Sequence, residues 1–195
     1  MEATPSATLP ILPCSTAIFT TDKCSVRPFE PSDAEALAAL ANDPEVAKTL
    51  RDRFPRPYTL ADAHSWIGYC RGGDPVLQFA VCAPDGSLAG AIGLEAARAD
   101  VSRCTRELGY WLGRRYWKMG IAGAAARAFV RWAFAALPEL LRIEAGVFEG
   151  NVASEGVLYR AGFVKEGVRR CAVFKDGMVL DDAMFGLTRR DVEEG

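Results

Sequence analysis

The stretch YWLGRRYWKMGIAGAAARAF, residues 110–129, has the types and spacing to hold an anion. A strand-like run passes through a cationic loop, and Gly120-Ile121-Ala122-Gly123 then opens an alanine-rich segment in which Ala124 to Ala126 add no bulk. A helix start exposes unpaired N–H groups at the positive end of the helix dipole, which suits phosphate. Small side chains let a ligand approach the main chain, and Arg114, Arg115 and Lys118 add positive charge beside it. On residue types alone, the same stretch is equally a plain helix start with solvated arginines. The spacing is neither G-x-x-x-x-G-K-[ST] nor G-x-G-x-x-G, so P-loop and dinucleotide sites are excluded. The single histidine, His64, excludes multi-histidine metal sites, and in the helix-like run ADAHSWIGYC it reads as a surface or packing residue rather than a catalyst. Six cysteines, none in a C-x-x-C pair, read as reduced and mostly buried thiols.

Such a loop needs a strand before it and a helix after it, and the surrounding chain supplies a regular series of both. CSVRPF (24–29) reads as a strand, Ser32 with Glu35 as a helix cap, and Asp43-Pro44 as the start of a second short helix. Thr59 with Asp62 repeats the cap arrangement and opens a helix to about Cys70. Strands follow at 77–83, 88–95 and 105–113, then a helix from 120 to about 136, a strand at 140–148 and a helix at 151–161. Strands at 163–174 and 179–188 close the series, and Pro-Asp-Gly at 84–86 marks a hairpin. This order gives a mixed α/β (α+β) layer fold.

With 50% hydrophobic residues in 195, one domain is expected. The reading divides the chain into a flexible N-terminal arm (1–15), the domain (16–190) and a C-terminal tail (191–195). A net charge of −2 argues against a nucleic-acid partner. No secretory signal opens the chain, and no run approaches the ~18 apolar residues of a membrane span. The expectation is a cytoplasmic protein without a membrane partner, monomeric or homodimeric.

Downstream, FEGNVASEGVLYRAGFVKEG (148–167) places Asn151 and Ser154 after a strand, on a helix ending in Gly162-Phe163. Together with the glycine-opened helix at 120, this N-x-x-S helix resembles the GNAT superfamily of acyl-CoA-dependent N-acyltransferases, and more narrowly its RimJ/RimL-like branch. VRPFEPSDAEALAALANDPEV (26–46), FPRPYTLADAHSWI (54–67), LAGAIGL (88–94), ELGYWLG (107–113) and VFKDGMVLDDAMFGL (173–187) are similar to that branch in the same order, so the resemblance spans about residues 16 to 190.

The resemblance implies a central, mostly antiparallel twisted sheet, splayed at the cofactor site and flanked by helices. It implies acetyl-CoA as cosubstrate, with no metal. The pantetheine arm would pair with the strand end Trp111, Leu112 and Gly113. The pyrophosphate would lie on Lys118, Met119, Gly120, Ile121, Ala122 and Gly123, with Asn151 and Ser154 also at the cofactor. Arg115 or Arg160 would reach the 3′-phosphate. Trp117 stands where the superfamily usually has Gln or Arg, a trait of the branch. Leu158 stands where many members carry the tyrosine that serves as general acid, and Tyr159 points to another helix face.

Without that acid the chemistry makes particular demands. A CoA-like thiol, with a pKa near 8.5, leaves readily near neutral pH, and an α-amine at ~7.7–8.0 is partly neutral already, unlike a lysine at ~10.4. A base, if used, is a carboxylate: Glu107, which by alternation shares a face with Trp111, or Glu95 at the end of the preceding strand. A backbone N–H of the splayed strand, Leu112, would meet the oxyanion. The expected reaction is acetyl transfer to a primary amine, foremost a protein or peptide α-amine. The alternatives are a small-molecule amine such as a polyamine, amino acid or antibiotic, and a catalytically silent acyl-CoA-binding protein.

Overall fold

The computed structural model describes residues 17–96 and 100–194; the arm read over 1–15 lies outside the described residues. Eight strands form one sheet: β1 (Phe19–Thr20), β2 (Ser25–Pro28), β3 (Gln78–Cys82), β4 (Leu88–Ala96), β5 (Thr105–Leu112), β6 (Arg142–Phe148), β7 (Val164–Lys175) and β8 (Met178–Thr188). Their order is β1-β2-β3-β4-β5-β6-β8-β7. Every neighbouring pair is antiparallel except β5 with β6. That parallel contact covers only Thr105↔Arg142, Arg106↔Ile143 and Glu107↔Glu144, after which the strands part. The mostly antiparallel, splayed sheet expected from the resemblance is therefore present.

Among the described residues six α-helices flank it: α1 (Ala34–Ala41), α2 (Pro44–Ala47), α3 (Leu60–Gly72), α4 (Ile121–Ala136), α5 (Val152–Ala161) and α6 (Arg189–Glu193). Period-2 alternation sorts the two faces of β5. Tyr110 and its register partner Ile92 share a face with Phe79, which packs edge-on against Phe129 of α4 at 5.9 Å. Trp111 faces the other way and meets Phe54 at 5.6 Å, on the side where Leu40 of α1 closes on Gly113. Helices α4 and α5 thus cover one face, with α1 and α3 on the other. The core runs through both layers: Leu37, Phe79, Ile92, Phe129, Ile143, Leu158 and Phe185 are fully buried. Helix α4 buries Ile121, Ala125, Ala126, Phe129, Val130, Ala133 and Phe134, a stripe at helical spacing.

Thr59 and Asp62 form the anticipated capping box, and Asp43 accepts from the Glu45 N–H at 3.0 Å. The expected Ser32 cap is corrected. A 3-10 turn over Pro31–Asp33 precedes α1, and Glu30 and Asp33 form the reciprocal cap. Asp33 wins the position because Arg27 grips its carboxylate bidentately, at 2.7 and 2.8 Å, beneath the turn. After β8 the chain enters α6, capped by Thr188 and Asp191, so residues 191–193, read as the start of a tail, are helical. Among the described residues the thiols of Cys24, Cys70 and Cys82 are buried, Cys171 is exposed and none is in a disulfide. No helix among them is long and apolar enough to cross a membrane.

Candidate functional site

The gap between β5 and β6 is the natural place for a ligand, because one edge of β5 loses its partner there. The Gly113 N–H donates to the Ala89 carbonyl at 2.9 Å, and a Cβ on Gly90 would fall 2.1 Å from the Trp111 carbonyl oxygen. Trp111 and Gly113 therefore direct their main-chain groups to β4. By alternation, Leu108, Tyr110 and Leu112 direct theirs into the gap. The Leu112 carbonyl already accepts from the Trp117 indole Nε1–H at 2.8 Å, leaving the Leu112 N–H facing the opening. The expectation that Trp111, Leu112 and Gly113 all pair with a ligand is thereby narrowed to Leu112. Gly113 has a packing reason instead, since a Cβ there would lie 2.5 Å from Leu40 Cδ2.

The loop beyond Gly113 turns through Arg114–Tyr116 and reaches α4 by way of two residues with positive φ, Lys118 (61°) and Gly120 (81°). The left-handed Gly120 is the N-cap, and the Ala124 N–H returns to its carbonyl at 3.1 Å. Ile121, Ala122 and Gly123 thus start the helix with no earlier turn to receive their N–H groups. Lys118, Met119 and Gly120 are exposed, and nothing stands within 4 Å of where a Gly120 side chain would begin. A Cβ on Gly123 would meet Arg160 Nε at 3.4 Å, and one on Gly156 would meet the same guanidinium at 3.4 and 3.5 Å. Arg160, in the last turn of α5, therefore lays its guanidinium between the first turn of α4 and the middle of α5, and it has no ion-pair partner among the described residues. Arg115 instead stacks on Tyr116 at 4.8 Å, and Arg114 pairs with Asp43 at 2.8 Å. Free amides, a positive helix end and an uncommitted arginine fit a pyrophosphate.

Asn151 and Ser154 do structural work beside that cradle. The Asn151 side chain caps α5 by accepting the Ser154 N–H at 3.2 Å. The Ser154 hydroxyl lies 2.7 Å from the Tyr110 hydroxyl, which also donates to the Ser154 carbonyl at 3.2 Å. Burial pushes Tyr110 up to about 12, so it stays protonated and ties β5 to α5. Tyr110 was not foreseen as part of the site; its only signal was its place between Leu108 and Leu112 in the alternation. Leu158 is fully buried, while Tyr159 is exposed and sets its ring edge-on to Phe185 at 5.3 Å, as a rim residue should.

The opposite face of the gap is lined by acids. Register sets Glu95, Glu107 and Glu144 in one row across β4, β5 and β6. Arg51 pairs with Glu107 and reaches Glu95 at 3.6 Å, while Arg53 also pairs with Glu95. These two arginines come from the connector before α3, and nothing in their spacing linked them to the carboxylates. Arg51 thus occupies one oxygen, Oε1, of the Glu107 carboxylate. Two residues beyond Glu107 and Glu144, Gly109 and Gly146 leave the same face bare, and nothing stands within 4 Å of a Cβ built on Gly109. Glu107, Glu144, Gly146, Arg169, Asp182 and Met184 enclose a recess of about 50 Å³ there. A larger hollow of about 440 Å³ lies by Leu40, Asp43, Arg114 and Arg115; it opens beside the strand end, away from the gap and the free amides, so the gap remains the candidate site.

Comparison with known proteins agrees with this geometry. Residues 24–164 match the family model described as an acetyltransferase (GNAT) domain. A Bacillus subtilis protein carrying the provisional name ribosomal N-acetyltransferase YdaF is 31% identical over 183 residues, covering 87% of this chain and 93% of that protein. The Vibrio fischeri ribosomal-protein-S5-alanine acetyltransferase superposes with a TM-score of 0.76 at 23% identity, over 89% of this chain and 97% of that one. The ribosomal L7/L12 α-N-protein acetyltransferase RimL, solved with coenzyme A, gives 0.75 at 19% identity, over 89% and 98%. The protein belongs to the GNAT acetyltransferases, enzymes that move an acetyl group from acetyl-CoA to an amine nitrogen.

Proposed function

We propose that this enzyme acetylates the α-amino terminus of a protein or peptide, with acetyl-CoA lying along the β5–β6 gap. The observation that carries the reading is the unpartnered β5 edge leading to the free amides of α4. The acetyl thioester supplies an acyl group whose carbonyl carbon is open to attack by a neutral amine. The Leu112 N–H is aimed where an oxyanion would form. Ile121, Ala122, Gly123 and Arg160 hold the phosphates, and Glu107 takes the proton. No acid stands at Leu158, so the enzyme depends on positioning and on an amine that is partly neutral near pH 7 to 8, which an α-amine is. The names of the Vibrio fischeri and RimL structures, each a protein α-amine or alanine acetyltransferase, point the same way. A cytoplasmic place of action accords with such a substrate.

The acid-lined face favours one rival, a small cationic amine such as a polyamine. A thiol-release assay separates the two, with acetyl-CoA and a panel of peptides beginning in Ala, Ser or Met, spermidine and free lysine. Faster turnover of the peptides, abolished when their termini are blocked, supports the proposal. Faster turnover of spermidine or lysine transfers the function to small amines. Coenzyme A binding without turnover on any acceptor would make the protein a binding module.

A further inference from the structure

The acid-lined recess contains one carboxylate oxygen that the fold leaves without a donor. Asp182 is 6% exposed, and among the described residues nothing donates a hydrogen bond to its Oδ1. Its Oδ2 has only Arg169, at 3.4 Å. Of the neighbouring acids, Glu107 is paired with Arg51, and Glu144 has Arg142 Nε at 3.7 Å, a guanidinium that Glu166 holds more closely. Asp182 lies opposite Phe148, and Met184 opposite Gly146, on the face that carries Glu144 and Glu107. A Cβ on Gly146 would fall 2.9 Å from Asp182 Oδ1. The carboxylate therefore leans over bare main chain toward β6, into the recess it shares with Glu107.

A buried anionic oxygen without a donor is costly, and the cost is recovered when a donor arrives. The recess gives that oxygen room for one small hydrogen-bonding donor such as an ammonium group. Its place, where β5 and β6 part and beside Glu107, is where an acceptor amine must enter.

We infer that Asp182 is the acceptor-binding residue: its Oδ1 accepts a hydrogen bond from the ammonium form of the incoming amine, over the floor made by Gly109 and Gly146. This rests on the acetyltransferase reading above and adds how the enzyme selects cationic acceptors. Asp182 binds the acceptor, and Glu107 remains the group that takes the proton.

The test is steady-state kinetics of Asp182→Asn with the best wild-type acceptor of the peptide and amine panel, alongside calorimetric titration with coenzyme A. The acceptor KM should rise about 10-fold or more, by more than kcat falls, while coenzyme A affinity stays as in the wild type. An unchanged acceptor KM overturns the inference, as does a matching loss of coenzyme A affinity, which would mark Asp182 as structural. Should Asp182→Asn fail to fold, Gly146→Ala displaces the same carboxylate with a single methyl group, and the same two outcomes apply. A wild-type enzyme that binds coenzyme A yet acetylates nothing overturns the proposed function itself and this inference with it. A wild type that turns over while Asp182→Asn keeps its acceptor KM overturns this inference alone.

Discussion

The two faces of the β5–β6 gap offer a ligand different materials. Toward α4 and α5 the contacts are main-chain: the Leu112 N–H, the amides of Ile121, Ala122 and Gly123, and a single uncommitted side chain, Arg160. Toward the connector 51–58 they are side chains drawn from five separate stretches, with Arg51, Glu95, Glu107, Glu144 and Asp182 in one charged row and recess. A main-chain site needs only a fold and a few small residues, so it tolerates changes of side chain. A side-chain site is redefined by each substitution. Under the proposed function the first face binds the cofactor and the second selects the acceptor, so variants on either face should move one quantity and spare the other.

The largest effect is expected at Gly120. Gly120→Asp puts a Cβ on a backbone with φ of 81° and a carboxylate where phosphate must approach, so calorimetry should show coenzyme A binding weakened roughly 100-fold. Unchanged affinity would detach the loop from the cofactor. On the other face, Glu107→Gln should lower kcat by about 10- to 100-fold, with coenzyme A affinity intact. An unchanged kcat would move the base elsewhere. Returning to the cofactor face, Trp117→Phe removes the hydrogen bond to the Leu112 carbonyl. The loss should be about 1 kcal/mol, or roughly 5-fold in coenzyme A affinity, with acceptor KM unmoved. If acceptor KM shifted instead, the separation of faces would fail at Leu112.

The smallest effect concerns pH. Burial pushes Tyr58 and Tyr110, one on each side of the sheet, up to about 12. A hydroxyl with a higher pKa folded than unfolded contributes stability that is complete below the unfolded value, near 10, and is lost as pH rises toward 12. The melting temperature should therefore fall between about 10 and 12, beyond the loss that begins near pH 9 because burial also pushes the Cys70 thiol up to about 12. Tyr110→Phe should soften that fall, and an identical fall in the variant would mean that Tyr110 is not the titrating group.

The same contrast explains what could be read from the chain. The cofactor face was legible because its signal is local: Gly120, the small residues after it and the N-x-x-S helix all lie within short windows whose backbone consequences are general. Even there, alternation had to be anchored in real register before Leu112 could be separated from Trp111 and Gly113. Glu107 was legible from its spacing to Trp111. Arg51, Arg53 and Asp182 were not, because they reach the gap only through the packing of segments 42 to 87 residues away from Glu95 or Glu107 in sequence. Asn151 and Ser154 were legible as a motif, yet their observed partners are each other and Tyr110, a hydroxyl that only the sheet places beside them. Ser32 misled because a cap pattern in sequence does not register the pull of Arg27 on Asp33.

The central claim, that coenzyme A is held by the free main-chain edge of β5 and the start of α4, is tested most directly by residue-resolved amide hydrogen exchange with and without coenzyme A. The account predicts new protection at Leu112, Ile121, Ala122 and Gly123. Gly113, whose N–H already bonds to Ala89, should be unchanged. Equal exchange at Leu112 and at the α4 amides in the presence of saturating coenzyme A would contradict it.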